Sequence, residues 1–201
     1  MLATQSFEHG LVFNATNGNL DAFNQLVLDY QDIVYNHVYH LLGDPDWAED
    51  VTQESFIKAY QKLEDYRGGS FRAWMLRIAT NASYDLYRRA SRYSTQPLYP
   101  VTHDGEDVES PAWLADPASS VEKTVQQKED DEDLYRMVNE LPLVYRSVIL
   151  LVDVYEMDYA EVAEALHLPI GTVKSRLARA RMQMKEKLSI SSKSKLKEIE
   201  K

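Results

Sequence analysis

DYAEVAEALHLPIGTVKSRLARARMQMK, residues 158–185, reads as two helices joined by a tight turn. Asp158 is placed to N-cap the first helix, and Glu161 three residues later completes a capping-box spacing. In that arrangement each side chain satisfies a backbone N–H that a helix start leaves free. Val162, Ala163 and Leu166 form the inner stripe, with Ala163 small enough to admit another helix closely. Leu168-Pro169 ends the helix, because proline cannot continue it and disfavours helical backbone in the residue before. The second helix restarts near Ile170 or Gly171, with Val173, Leu177, Ala180 and Met184 recurring on one face. Thr172, Ser175, Arg176, Arg179 and Gln183 fall on roughly the opposite face, flanked by Lys174 and Arg181. Such a front suits a DNA major groove, where arginine bonds guanine bidentately and hydroxyls serve base or phosphate. An ordinary solvated basic helix carries similar residues; the capped first helix and the proline–glycine turn favour a helix-turn-helix.

The chain has 201 residues and is 44% hydrophobic, enough for one large or two small domains with true cores. It has no cysteine, which excludes disulfides and thiolate metal sites and points to a reducing cytoplasm. MLATQSFEHG shows no basic head followed by an apolar core, and no apolar run reaches the roughly eighteen residues of a membrane span. No secretory signal or membrane insertion is expected. The net charge of −10 is unevenly spread. Residues 67–94 carry +5 and residues 169–201 carry +7, whereas 1–66 and 95–140 each carry −9 and 141–168 carry −4. Two basic blocks set among acidic ones point to two nucleic-acid contacts and a separate acidic surface.

Residues 1–18 show little periodicity and read as a frayed end. From Asn19 a helix is predicted, with Phe23, Leu26, Val27, Tyr30, Val34, His37, Val38 and Leu41 on one stripe. Gly43 stops it, and Asp44-Pro45 caps and starts the next, over about 45–64. There Ala48, Val51, Ser55, Phe56, Ala59 and Tyr60 make the buried stripe, while Asp50, Gln53 and Glu54 share an outer face. That face fits either a solvated acidic surface or a dock for a basic partner. The loop Asp65-Tyr66-Arg67-Gly68-Gly69 must be irregular, and Ser70 caps a third helix whose inner side holds Phe71, Met75, Ile78, Ala82 and Leu86, with Trp74 at the boundary. Arg77, Asn81, Tyr84, Arg88 and Arg92 share another sector. Arginine contacts phosphate, tyrosine stacks and asparagine bonds base edges, a mix suited to single-stranded or melting DNA; a solvated Arg/Tyr face is the other reading. Residues 94–119 read as a linker, in which Trp113 and Leu114 either dock locally or serve a partner. A helix is predicted from about Ser120, with Leu134, Met137, Val138 and Leu141 as its inner edge, broken by Pro142. The tail after the helix-turn-helix reads as mobile, its lysines available to phosphate.

Together these stretches resemble the extracytoplasmic-function class of bacterial RNA polymerase sigma factors. GNLDAFNQLVLDYQ, EDVTQESFIKAY, FRAWMLRIATNASYDLYRR, LPLVYRSVILL and DYAEVAEALHLPIGTVKSRLARAR occur in that family's order and spacing, over about residues 12–188. The resemblance implies an all-α fold of two small helical domains joined by an extended linker. They fall at 12–94 and 122–188, with the linker at 95–121 and a flexible tail at 189–201. Asp50, Gln53 and Glu54 match positions that bind the clamp helices of the largest polymerase subunit. The helix bearing Arg77, Asn81, Tyr84 and Arg88 matches the reader of the promoter's minus-ten element. Asn81 matches a position that helps select a flipped-out base, and the 65–70 loop matches part of that base's pocket. Trp74 matches a family tryptophan, with a packing role. Lys174, Ser175 and Arg179 match contacts to the minus-thirty-five element, supported by Thr172 and Arg176. Ala178 departs from relatives that carry an aromatic group there. The resemblance also implies an anti-sigma partner and a monomer when free.

The alternative is a dimeric helix-turn-helix regulator, which would leave the Arg77–Arg92 face idle. An enzyme has little support, since the chain shows no Gly-rich phosphate loop, no metal-spaced His/Asp cluster and no nucleophile–base pair in a recognisable frame. No catalytic residue, metal or cofactor is expected.

Overall fold

A computed structural model describes the backbone of residues 2–93 and 134–199, with side chains between 8–91 and 134–189. The expected linker, Trp113 and Leu114, and the helix start near Ser120 lie outside the described residues. Among the described residues all regular structure is helical. In chain order the α-helices are α1 (Leu2–Thr16), α2 (Leu20–Leu42), α3 (Pro45–Gln61), α4 (Phe71–Tyr93), α5 (134–139), α6 (Leu143–Ile149), α7 (Tyr159–Leu166) and α8 (Ile170–Ile199), with a 3-10 turn over Leu63–Asp65 after α3, so that Asp65 of the expected irregular loop closes this turn.

The boundaries follow from local chemistry. The Asn19 side chain accepts from the Ala22 amide at the head of α2, and Gly43 ends that helix in the left-handed conformation, φ 74°. Asp44 accepts from the Trp47 amide and Pro45 occupies the first turn of α3, where its missing N–H costs nothing. Ser70 Oγ accepts from the Ala73 amide to cap α4. At α7 the capping box is complete: Asp158 accepts from Ala160 and Glu161, and Glu161 accepts from the Asp158 amide. Each device fixes a helix end, and the spacing of the ends fixes which faces meet.

The first core gathers the buried faces of α2, α3 and α4, with Leu26, Val34, Val38, Val51, Phe71 and Met75 inside it. The second gathers α6, α7 and α8 through Val148, Leu151, Val162, Val173 and Leu177. The two cores meet along a seam between α4 and α2 on one side and α5 to α7 on the other. The Arg146 guanidinium is buried there and donates to Leu41 O at 2.6 Å, to Leu141 O at 2.9 Å and to Asn139 O. His37 meets the Tyr155 ring edge-on at 5.1 Å, and His40 stacks on Tyr135 at 3.7 Å. Arg72 donates to Tyr155 O from α4. Between α6 and α7 the backbone opens into a π-turn over Leu150–Val154, closed by the Tyr155 amide on Leu150 O.

Four expectations are corrected. Residues 2–16 form α1 rather than a frayed end, because Val12 and Ala15 are buried and Glu8 accepts a 2.6 Å bond from the Tyr30 hydroxyl. Among its described side chains only Val12 and Ala15 are buried, too few to read as a stripe. Tyr60 is 45% exposed, its ring leaning on Phe23 at 5.0 Å from the rim instead of entering the core. Leu134 is exposed, and Tyr135 makes the inward contact of α5 instead. The tail continues α8 to Ile199, since nothing after Gly171 breaks the helix and lysine, leucine and glutamate are good helix formers.

Candidate nucleic-acid and polymerase interfaces

Three surfaces carry the residues singled out above. On α3, Asp50 and Gln53 project into solvent. Glu54 is half-buried, with its carboxylate 2.8 Å from Lys58 and 3.8 Å from Arg89 of α4. The acidic face is thus partly neutralised along one edge and open along the other.

On α4 the expected sector is real but covered. Arg77 pairs with Glu164 of α7, and the Tyr84 hydroxyl lies 2.9 Å from Ser147 Oγ of α6. Burial raises the Tyr84 hydroxyl pKa, so the phenol stays neutral and serves as a hydrogen-bonding group. Asn81 is half-buried, and Arg88 is exposed with its guanidinium 6.0 Å from the Tyr84 ring centre. The Arg92 side chain lies outside the described residues. Before α4, Gly68 and Gly69 adopt φ of 91° and 90°, a left-handed conformation that side chains resist. That turn lets the Tyr66 hydroxyl donate to Gly69 O at 2.7 Å and brings its ring edge-on to Phe71 and Trp74. The loop and α4 bound a cavity of about 240 Å³ whose far wall is α7. Trp74 is buried in that aromatic cluster, in line with a packing role.

On α8, Val173, Leu177, Ala180 and Met184 are buried as expected, which turns Lys174, Ser175 and Arg179 outward. Lys174 sits 5.7 Å from the Tyr159 ring centre, and Ser175 Oγ bonds back to Thr172 O. Arg179 reaches Tyr145 Oη at 3.5 Å. Arg181 makes a bidentate pair with Asp153 of the π-turn, at 3.0 and 2.6 Å, so it braces the motif. Arg176 is half-buried, lining a second groove of about 630 Å³ with Asn81, Tyr84 and Arg88.

Comparison with known proteins decides what these surfaces belong to. Residues 26–93 match the family described as Sigma-70 region 2, and residues 131–184 match Sigma-70, region 4. The chain is 34% identical to the RNA polymerase sigma-H factor of Pseudomonas aeruginosa over 90% of its own length and 93% of that protein. The chain belongs to the extracytoplasmic-function class of RNA polymerase sigma factors. It is also 32% identical over 180 residues to the ECF RNA polymerase sigma factor SigE of Mycolicibacterium smegmatis, spanning 89% of this chain and 66% of that relative. The solved sigma factor RpoE of Bartonella quintana, in complex with the anti-sigma factor NepR, aligns over 84% of this chain and 97% of its own. That alignment has 28% identity and a TM-score of 0.61.

As a sigma factor the chain recognises promoters and takes core RNA polymerase to them at transcription initiation. Sigma factors are DNA-binding regulators, which places the chain in that class. No helix among the described residues is long and apolar enough to cross a membrane, and no described group of three or more His, Asp or Glu is placed to hold a metal ion. Sequence reasoning passed over Ser147 and Glu164, and read Glu161 only as a helix cap. Each touches or faces the α4 sector from more than sixty positions away along the chain, at a remove that no periodic pattern reports.

Proposed function

We propose that the sigma factor divides its work among three faces, acting as a non-enzymatic cytoplasmic subunit that is monomeric when free. The N-terminal domain, residues 12–94, docks on the clamp helices of the largest polymerase subunit through Asp50, Gln53 and Glu54. The same domain reads and helps melt the minus-ten element through Arg77, Asn81, Tyr84 and Arg88. The C-terminal domain, residues 122–188, reads the minus-thirty-five duplex through Lys174, Ser175 and Arg179, with Thr172 and Arg176 in support. Duplex readout by α8 sets register, while α4 captures bases as the strands part; extrusion costs a few kcal/mol, which the Tyr66–Trp74 cavity offsets. An anti-sigma factor is a further expected partner, as the Bartonella quintana relative is in complex with one.

The observation that carries the reading is the presence of two arginine-bearing helices, α4 and α8, together with one acidic helix, α3, in a single chain. A dimeric regulator needs only one of the three. Promoter-specific transcription with purified core polymerase tests it. Asp50→Arg with Glu54→Arg abolishes the core complex and leaves DNA binding by α8, whereas Arg179→Ala weakens promoter choice and leaves core binding intact. A double variant that still forms a stable holoenzyme would overturn the assignment of α3.

A further inference from the structure

The side that α8 buries determines the edge it presents to a duplex. Val173, Leu177, Ala180 and Met184 are sealed against the C-terminal core. At about 100° per residue, the opposite direction falls between Ser175 and Met182, with Ala178 and Arg179 to either side. All four are exposed. Thr172, Arg176 and Gln183 stand about a quarter turn away and are half-buried. The centre of the open edge thus holds a side chain with no charge to offer. Met182 is 64% exposed, more than any other described large hydrophobic residue except Phe13. Single exposed apolar side chains are ordinary on a protein surface, but the setting of this one is specific. Met182 follows Ala178 by one turn, and helical side chains lean toward the N-terminus, so its thioether covers the turn that bears the Ala178 methyl. Exposed Lys174, Arg179 and Lys185 rim this apolar patch, whereas Arg181 is spent on Asp153. From Ser175 to Met182 the helix rises about 10.5 Å, which fits within the roughly 12 Å width of a major groove.

We propose that Ala178 and Met182 form a thymine-methyl reader in the middle of α8, so that the minus-thirty-five element of this sigma factor carries thymine opposite them. The inference rests on α8 being the minus-thirty-five reader. In the major groove thymine alone shows an apolar group, the C5 methyl, while every other base edge there offers donors or acceptors. A polar edge set against the patch would lose its water and gain no hydrogen bond, which disfavours the other bases. The Ala178 methyl is short, and the long, adaptable Met182 side chain supplies the reach. The cations around the patch serve the phosphates that flank it, so affinity and choice of base come from different side chains.

The test uses holoenzyme reconstituted from core polymerase and the full-length chain. Selection from promoter fragments randomised over the minus-thirty-five region gives the preferred element. Deoxyuridine, which differs from thymidine only by the missing methyl, then replaces each thymine of either strand in turn. Competition binding shows a loss of about fourfold at the position facing the patch, the worth of one methyl-sized group removed from water. Met182→Gln, similar in length but polar, binds the thymine and deoxyuridine fragments equally. Met182→Leu keeps the discrimination, and Lys185→Ala weakens binding to both fragments while leaving their ratio unchanged. Met182 and Lys185 are exposed, so none of these changes disturbs the core. An element in which no thymine is methyl-sensitive overturns the methyl reading, provided that Arg179→Ala still relaxes the selection. So does a sensitivity that survives Met182→Gln. If holoenzyme selects no minus-thirty-five sequence and Arg179→Ala changes nothing, α8 is not the reader, and the assignment beneath the proposal falls with it.

Discussion

Lowering the pH from 7 to 5 should destabilise this fold through one buried histidine, and removing that histidine should remove its share of the loss. His37 lies on α2 with its Nε2 2.7 Å from Thr80 Oγ1. The Thr80 hydroxyl gives its proton to Leu76 O at 2.7 Å, so it accepts from His37 and Nε2 carries the hydrogen. Nδ1 is left as a lone-pair acceptor with no hydrogen-bond partner among the described residues. Charging that ring would bury a cation beside Leu41 and Tyr155, and burial, aided by neighbouring His40, lowers its pKa from 6.5 to about 3. A base held neutral in the fold and free to protonate in the unfolded chain binds its extra proton only on unfolding. Stability is therefore complete above the unfolded pKa of 6.5 and declines as pH falls through the window down to about 3. Each pH unit inside the window costs about 1.4 kcal/mol per group, so the step from pH 7 to 5 costs about 2 kcal/mol from His37 alone. His40, lowered by burial to about 4, adds a similar amount. Urea unfolding at pH 5, 5.5, 6 and 7 measures this in wild type and His37→Leu. The variant is less stable at pH 7, having lost the Thr80 bond, but its stability falls less steeply with acid, by about 1.4 kcal/mol per pH unit. Carboxylate titration is common to both proteins and cancels in the difference. Equal slopes would refute the neutral, unpartnered state assigned to His37.

Two further outcomes follow from single side chains. Arg146→Ala leaves three carbonyls at the seam without their donor, at about 1–3 kcal/mol for each group left unsatisfied. Its melting temperature, followed by circular dichroism, should fall by about 6 °C or more. Arg146→Lys should recover little of that, because one ammonium cannot reach three carbonyls in the guanidinium's geometry. Asp158→Ala removes the cap of α7, costing about 1 kcal/mol, a shift of about 2–4 °C in the same melt. A larger loss in Asp158→Ala than in Arg146→Ala would show that the seam contributes less than the cap.

What the sequence made legible was local. Asn19, Gly43, Asp44-Pro45, Ser70 and Asp158 with Glu161 act within four residues of the helix ends they define, so their spacing alone located α2, α3, α4 and α7. The stripe of Val173, Leu177, Ala180 and Met184 likewise reports one buried face, and with it the exposure of Lys174, Ser175 and Arg179. The α4 sector was legible as a cluster but not as an environment. Arg77, Asn81, Tyr84 and Arg88 do share a side of the helix, yet that side faces α6, α7 and α8. Arg146 escaped notice for a related reason: a lone arginine in an apolar helix gives no sign that its partner is Leu41 O, 105 positions away. Arg181 looked like a flank of the DNA face, and only the π-turn, which no periodic pattern anticipates, delivers Asp153 to it.

Asp50 and Gln53 of α3 stand in solvent while α7 packs along α4, so the acidic face is free for a basic partner in the structure as it stands. Glu54 is the link between α3 and α4, because its carboxylate lies near both Lys58 of α3 and Arg89 of α4. A partner cation drawn to Glu54 therefore competes with Arg89, and its arrival is felt on the helix that carries Arg77, Asn81 and Tyr84.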